Sequence, residues 1–318
     1  MKLSKFFAAI LLLAVFLAAV IFGNARIYSF GEKFNRVLAS VFFTDSVSVE
    51  ELRMKYISAP FSGNRVKILI VPGHEPNFGG AEYNQLKERD LNLELSQLLA
   101  VYLKVDPRFE VIQARDDAGW NSMLTSYFEK NWGSAKKFRD TKRLEMGRLI
   151  DVGKVVRISD GVSHSKAPSE VAIRLYAINM WANENDVDVT IHVHLNDYPR
   201  RYQKRPGTFS GFSIYIPDSQ YSNAKASRAV AESVFSRIAE VTSVSNLPKE
   251  DAGIIGDQDL IAVGGQNTSD GVSTLIEYGY IYEPNLQNLE IREITFNSLA
   301  KQTSIGLNNF FVGASKVR

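Results

Sequence analysis

Five residues carry side chains able to do chemistry and fall at telling places in the chain: His74, Glu88, His194, Asn196 and Glu277. Two imidazoles and one carboxylate make a three-ligand set for a catalytic zinc ion, with the fourth position left to water. Zinc in such a site lowers the pKa of that water to about 7 and polarises a carbonyl. A further carboxylate, not bound to the metal, is then needed to take the proton of the water and deliver it to a leaving amine. Glu277 suits that task. Glu88 also has a plainer reading as a helix-start carboxylate favoured by the helix dipole, and Glu277 as a buried acid paired with an arginine. The chain has four histidines and no cysteine. Thiolate zinc sites, iron–sulfur clusters, disulfides and thiol nucleophiles are therefore excluded, and a metal here must be held by His, Asp or Glu.

Residues so far apart in sequence need a fold to gather them. Val66–Val71 is a nearly continuous apolar run that ends in Pro72-Gly73, with His74 directly after it. Such a run suits a strand buried on both faces. A helix is expected from Asp90 to Leu103, a strand over Phe109–Ile112 and a helix from Ser169 to Asn185. The strand Val187–Val193 then puts His194 and Asn196 at its end. A strand over Phe212–Ile216, a helix over Ala224–Val241, a strand over Val272–Ile276 and a helix over Leu289–Phe311 complete the pattern. This alternation predicts one α/β domain, with a mostly parallel or mixed twisted sheet and helices on both faces. In open sheets of this class, sites form beyond the carboxyl ends of the strands, where His74, His194 and Glu277 map. His192 and His194 share one face of their strand, because side chains alternate with period two. Either can be the ligand; the position at the strand end before Asn196 selects His194 and leaves His192 as a supporting or packing group. His164 falls in a polar loop and reads as solvent-exposed.

Ahead of the domain, Lys2 and Lys5 precede an apolar run from Phe6 to Gly23. A secretory signal has an apolar centre of roughly 7–15 residues; this run is longer and can span a bilayer as a helix. The lysines favour the cytoplasmic side, which predicts a single-pass anchor over 1–24 and an extracytoplasmic domain, in periplasm or cell wall. Gly23-Asn24-Ala25 is a weak cleavage site, so secretion after signal cleavage is the alternative. Residues 25–63, with an apolar pattern from Phe34 to Phe43, read as a juxtamembrane connector, either a stalk or a piece that packs on the domain at 64–318. Inside that domain, Arg115–Pro168 is the most basic stretch, carrying Lys136, Lys137, Arg139, Lys142, Arg143, Arg148 and Arg157 among others. It reads as a solvated helical face, with a lid or an anion-meeting surface as the sharper alternative. The chain as a whole has 37 Lys+Arg against 35 Asp+Glu, a formal net charge of +2, which argues against a nucleic-acid partner.

Taken in order, the segments resemble the zinc-dependent N-acetylmuramoyl-L-alanine amidases (Amidase_3), a family of bacterial cell-wall hydrolases. Ile68-Leu69-Ile70-Val71-Pro72-Gly73-His74 is similar to the family's strand-Pro-Gly-His opening, and Glu88-Arg89-Asp90 to its Glu-Lys-Asp element. Ala182-Asn183, Asp188 and His194-Leu195-Asn196 resemble its Ala-Asn…Asp…Ile-His-x-Asn block. Gly211–Tyr215 resembles the Gly-x-x-x-Tyr strand, and Glu277-Tyr278-Gly279-Tyr280 the closing Glu-x-Gly-Phe element. The resemblance implies that His74, Glu88 and His194 hold zinc and that Glu277 is the catalytic carboxylate. It implies hydrolysis of the amide between N-acetylmuramic acid and L-alanine in peptidoglycan, for wall remodelling or cell separation. Three departures stand out. Glu75-Pro76 replaces the usual glycines, His192 replaces a serine, and residues 116–168 are an insertion. In some members an inserted helix covers the zinc until a partner removes it, which would make this insertion a lid and call for an activating protein. Two competing readings remain: another zinc peptidase such as a carboxypeptidase, with Arg174 or Arg115 holding the substrate's terminal carboxylate, and a degenerate wall-binding or regulatory module.

Overall fold

The chain folds, in order, as α1 (Val49–Ser62), β1 (Val66–Pro72), a hairpin of β2 (Glu82–Tyr83) and β3 (Leu86–Lys87), α2 (Glu88–Leu103) and β4 (Phe109–Gln113). A second small hairpin, β5 (Arg115–Asp116) with β6 (Gly119–Trp120), leads into α3 (Ser122–Asp151), α4 (Ser169–Glu184), β7 (Val189–Asn196) and β8 (Ser213–Pro217). Then come α5 (Ala224–Ile238), β9 (Ile254–Asp257), a 3-10 turn at Ile261–Val263, β10 (Val272–Tyr280), α6 (Pro284–Gln287) and α7 (Leu289–Val312). This is a computed structural model, and it describes residues 45–313 apart from 159–160, 163–166, 199, 201, 203 and 265–268. The apolar run at Phe6–Gly23, the Phe34–Phe43 pattern and His164 lie outside the described residues. Among the described residues no helix is long and apolar enough to cross a membrane.

Six strands form one mixed sheet in the order β4-β1-β7-β10-β8-β9. The first four run parallel; β8 is antiparallel to β10, and β9 follows β8 in parallel. The nearly continuous apolar sequence of β1 follows from its place, with a strand on each side and a helical layer on each face. Ile68 and Ile70 enter the larger core with Leu91, Leu95 and Leu99 of α2 and Phe296, Leu307 and Phe310 of α7. Leu69 and Val71 point the other way, into a core with Leu124 and Phe128 of α3 and Ile173, Ala177 and Trp181 of α4. On β7 the odd-numbered Val189, Ile191, Val193 and Leu195 fill the first core. His192, His194 and Asn196 therefore project to the α3/α4 side. The single α/β domain with a mostly parallel, mixed sheet agrees with the sequence pattern.

Several boundaries differ from expectation. The last strand continues past Ile276 to Tyr280, with a register irregularity between Glu277 and Tyr280. The helix predicted to Val241 stops at Ile238. Residues 49–62 of the expected connector form α1, started by a capping box between Ser48 and Glu51 and closed by Gly63 in the left-handed region. This helix packs on the domain: Tyr56 stacks on Phe311 at 5.0 Å and touches Phe109 at 5.3 Å, and Lys55 bonds Asp188 at 2.6 Å.

Candidate metal centre

The strand ends and the start of one helix build the centre. β1 ends at Pro72, and Gly73 extends its ladder by donating to Val193 O at 2.8 Å. Gly73 is required there, because a Cβ would lie 2.5 Å from the His194 ring. His74 follows with φ +64°, a region that β-branched residues avoid and histidine tolerates. That turn swings its imidazole back over the sheet edge. Glu88 is delivered by the β2–β3 hairpin, whose two central residues, Asn84 and Gln85, both have positive φ, as a tight two-residue turn demands. Gly80 lies against the pair, where a Cβ would collide with the His74 ring and come within 2.6 Å of Glu88 Oε2.

His74 Nε2 lies 2.7 Å from Glu88 Oε2, and His194 Nδ1 lies 3.1 Å from Glu88 Oε1. The imidazoles meet edge to face, with centroids 5.1 Å apart. One donor atom from each of His74, Glu88 and His194 falls within 4.8 Å of the others. Three such donors around one point fit a zinc ion with an open fourth position. Glu88 is buried, and its oxygens also accept from Ala81 N at 3.0 Å, Asn92 Nδ2 at 3.2 Å and Leu195 N at 3.3 Å. Burial works to raise its pKa, but the charge and hydrogen bonds of His74 and His194 outweigh this and hold it below the usual carboxylate range. Burial also lowers His194, against the pull of Glu88.

Glu277 sits one strand over, directly beside His194 in the β10–β7 register. Its Oε2 is buried without a hydrogen-bond partner. Burial, and then the negative charges of Glu88 and Glu250, push its carboxyl well above the ordinary value. Glu250 is a residue that the sequence did not point to. It is buried and accepts from Asn196 Nδ2 at 3.0 Å, Tyr215 Oη at 2.5 Å, Ser245 Oγ at 2.6 Å and Tyr280 Oη at 3.1 Å. Asn92 is a second such residue: it stands one helical turn after Glu88 and bonds it. The spacing of four from Glu88, on the buried face of a leucine-rich helix, is the signal that could have found it.

Residues 68–309, well over half the chain, match the family described as N-acetylmuramoyl-L-alanine amidase. The chain belongs to that family. Among solved structures, the CwlD amidase from Clostridioides difficile in complex with the GerS lipoprotein is similar with 14% identity and a TM-score of 0.50, over 78% of this chain and 100% of that one. The N-acetylmuramoyl-L-alanine amidase from Clostridium difficile 630 shows 19% identity and a TM-score of 0.49, over 79% of this chain and 100% of that one. At such identities the likeness is one of fold. No curated protein sequence matches the chain.

Against the amidase pattern, the departures have structural accounts. Glu75 does not join the three-donor group. Its buried carboxylate is bound by Arg174 Nε at 2.5 Å. His192 is buried, hydrogen-bonded to the Ala262 backbone, and pushed down to about 3, first by burial and then by the charge of His194. The insertion forms the 30-residue α3, which packs along α4 through Leu124, Phe128 and Ala135. It walls a cavity beside the centre, and no α3 residue enters the three-donor group. His74 keeps 32% of its side-chain surface exposed.

Proposed function

We propose that this chain hydrolyses the amide between N-acetylmuramic acid and L-alanine in peptidoglycan, with zinc held by His74, Glu88 and His194 and with Glu277 as acid–base catalyst. The observation that carries this reading is the convergence of three donors within 4.8 Å beside a carboxylate that holds an unpartnered oxygen. When bound, zinc supplies Lewis acidity to the substrate carbonyl and to water. Glu88 keeps both imidazoles aimed at one point, and Asn92 and the Ala81 and Leu195 amides fix its carboxylate in turn. Such outer contacts set the orientation of metal ligands. Glu277 Oε2 is free to take the proton of the attacking water and return it to the leaving amide nitrogen as the C–N bond breaks.

Both arginines that the carboxypeptidase reading would use are engaged elsewhere. Arg174 is committed to Glu75, and Arg115 is buried with Nη2 bonded to the Gly73 and Arg89 carbonyls. The 18 apolar residues from Phe6 to Gly23 support a membrane-anchored amidase with its domain at 64–318, preceded by α1, outside the cytoplasmic membrane and acting in wall remodelling or cell separation. A fold relative was solved in complex with a lipoprotein, and an activating protein partner is part of this reading.

Digestion of purified peptidoglycan by the full chain, with the fragments weighed by mass spectrometry, tests the proposal. Free stem peptides beginning at L-alanine, lost with chelator and restored by zinc, are the expected result. Release of a terminal amino acid instead would make the protein a carboxypeptidase.

A further inference from the structure

The metal centre opens into a cavity of about 960 Å³, at the upper end of the range for small-ligand sites. It runs from His74 and His194 across the α3/α4 face of the sheet, over Val71, His192 and Leu275, and ends at Arg139 and Arg143 of α3 and Arg157 just beyond it. Its long walls are apolar, with Ala172, Leu175 and Ile178 of α4 on one side. Two features in it lack a partner that a ligand would supply.

The first is His192. The residue is 1% exposed, and its Nε2 is buried without a hydrogen bond. Its other nitrogen meets the Ala262 backbone. With the ring proton on the nitrogen nearer that backbone, Nε2 is an acceptor, in a residue that lines the cavity floor. The second is Arg143. Arg139 is bound to Asp140 at 2.8 Å, and Arg157 lies 3.6 Å from Asp259. The Arg143 guanidinium lies 5.9 Å from the centre of the Tyr176 ring, and among the described residues it has no carboxylate within ion-pair distance. A guanidinium with no carboxylate partner of its own keeps its donors for one that a ligand brings.

We propose that this cavity seats the stem peptide of the substrate, with His192 Nε2 accepting a peptide N–H and Arg143 binding one of the peptide's free carboxylates. The inference rests on the amidase reading and extends it. The scissile amide lies at the metal end, the acidic peptide extends toward α3, and the glycan polymer stays at the open mouth. The basic insertion is then a specificity wall, and acidic stem peptides are the preferred class over amidated ones.

The test compares a soluble muramoyl-peptide bearing free carboxylates with the same peptide carrying carboxamides, using the zinc-loaded full chain in detergent. For Arg143→Ala, KM for the free-carboxylate peptide is expected to rise about tenfold or more, the loss of one charge-assisted pair. Its kcat and its KM for the carboxamide peptide stay near wild type, and Arg143→Lys recovers part of the loss. An equal rise for both peptides, or no rise, overturns the proposal. Calorimetric binding of the released acidic peptide to metal-free protein keeps the two readings apart. If wild type cleaves neither substrate, the amidase reading fails, while tighter peptide binding by wild type than by Arg143→Ala still supports the subsite. Equal binding by the two proteins overturns it.

Discussion

Glu88 and Glu277 are carboxylates at one sheet edge, each beside His194, yet their surroundings drive them in opposite directions. On the β1/α2 side, Glu88 faces two imidazoles and three further donors, and it is held ionised despite burial. On the β10/β8 side, Glu277 faces Glu88 and Glu250, and both burial and charge raise its carboxyl above the ordinary value. Burial raises both; the sign of the neighbouring charge decides the outcome. Two acids separated in this way divide the labour of a hydrolytic site, one binding a cation and the other moving a proton. The comparison also explains why Glu250 has so many donors. Four hydrogen bonds stabilise its charge in the interior, where it can act on Glu277 without collapsing onto it.

Removing the proton carrier breaks the contrast most severely. Glu277→Gln is expected to lower kcat by roughly 10²–10⁴-fold, the usual weight of general acid–base catalysis, while metal content and melting temperature stay at wild type. Normal turnover would take Glu277 out of the mechanism. On the other side, His194→Ala should lose bound zinc, as measured by metal analysis after gel filtration, whereas His192→Ala should keep it. Full occupancy in the first variant and loss in the second would transfer the ligand role to His192. A smaller effect sharpens the comparison. Glu250→Gln keeps an acceptor for only one of its two tyrosines, which bond different oxygens, and removes a negative charge that raises Glu277. The limb of the pH–rate profile reporting Glu277 should then move to lower pH, with a fall in kcat of about tenfold or less; an unmoved limb would disconnect the two acids.

The sequence exposed the parts of this site that local pattern controls. His74, His194 and Glu277 each follow an apolar run that had to be a strand, so their place at the carboxyl edge was legible. Glu88 was legible as the first residue of a helix, but its hold on both histidines depends on the β2–β3 turn, whose positive φ at Asn84 and Gln85 no apolar periodicity announces. Glu250 was invisible, since it lies in a loop after Leu247 and Pro248 and gains its meaning only from Tyr215, Tyr280 and Asn196 brought in from other strands. The insertion looked loose because α3 is polar over most of its surface, with only Leu124, Phe128, Ala135 and Met146 buried along 30 residues. β9 is four residues with a glycine, too short for a pattern of period two to emerge. α1 carries little apolar signal of its own, with only Leu52, Tyr56 and Ala59 buried along its length.

A third carboxylate, at the opposite end of the strands, gives the smallest effect and serves as a control on the other two. Asp106 precedes β4 and accepts from Tyr56 Oη at 2.7 Å and from Arg108 Nη2 at 2.8 Å. Burial works to raise it, but the hydrogen bonds from Arg108 and Tyr56 and the Arg108 charge leave it below the ordinary value. A carboxylate depressed in the folded state contributes stability that is complete above its unfolded pKa of about 3.9 and fades as pH falls through the folded one. Asp106→Asn should therefore lower the unfolding free energy near neutral pH by about 1 kcal/mol, in line with the loss of charge-assisted bonds at a half-open site. The gap to wild type should close below about pH 3.9. Turnover at neutral pH should be unchanged in this variant, because Asp106 meets α1 and not the metal centre. A loss of activity equal to that of Glu250→Gln would mean that the α1 end and the catalytic edge are coupled through the sheet, and the division between a stabilising end and a reacting end would fail.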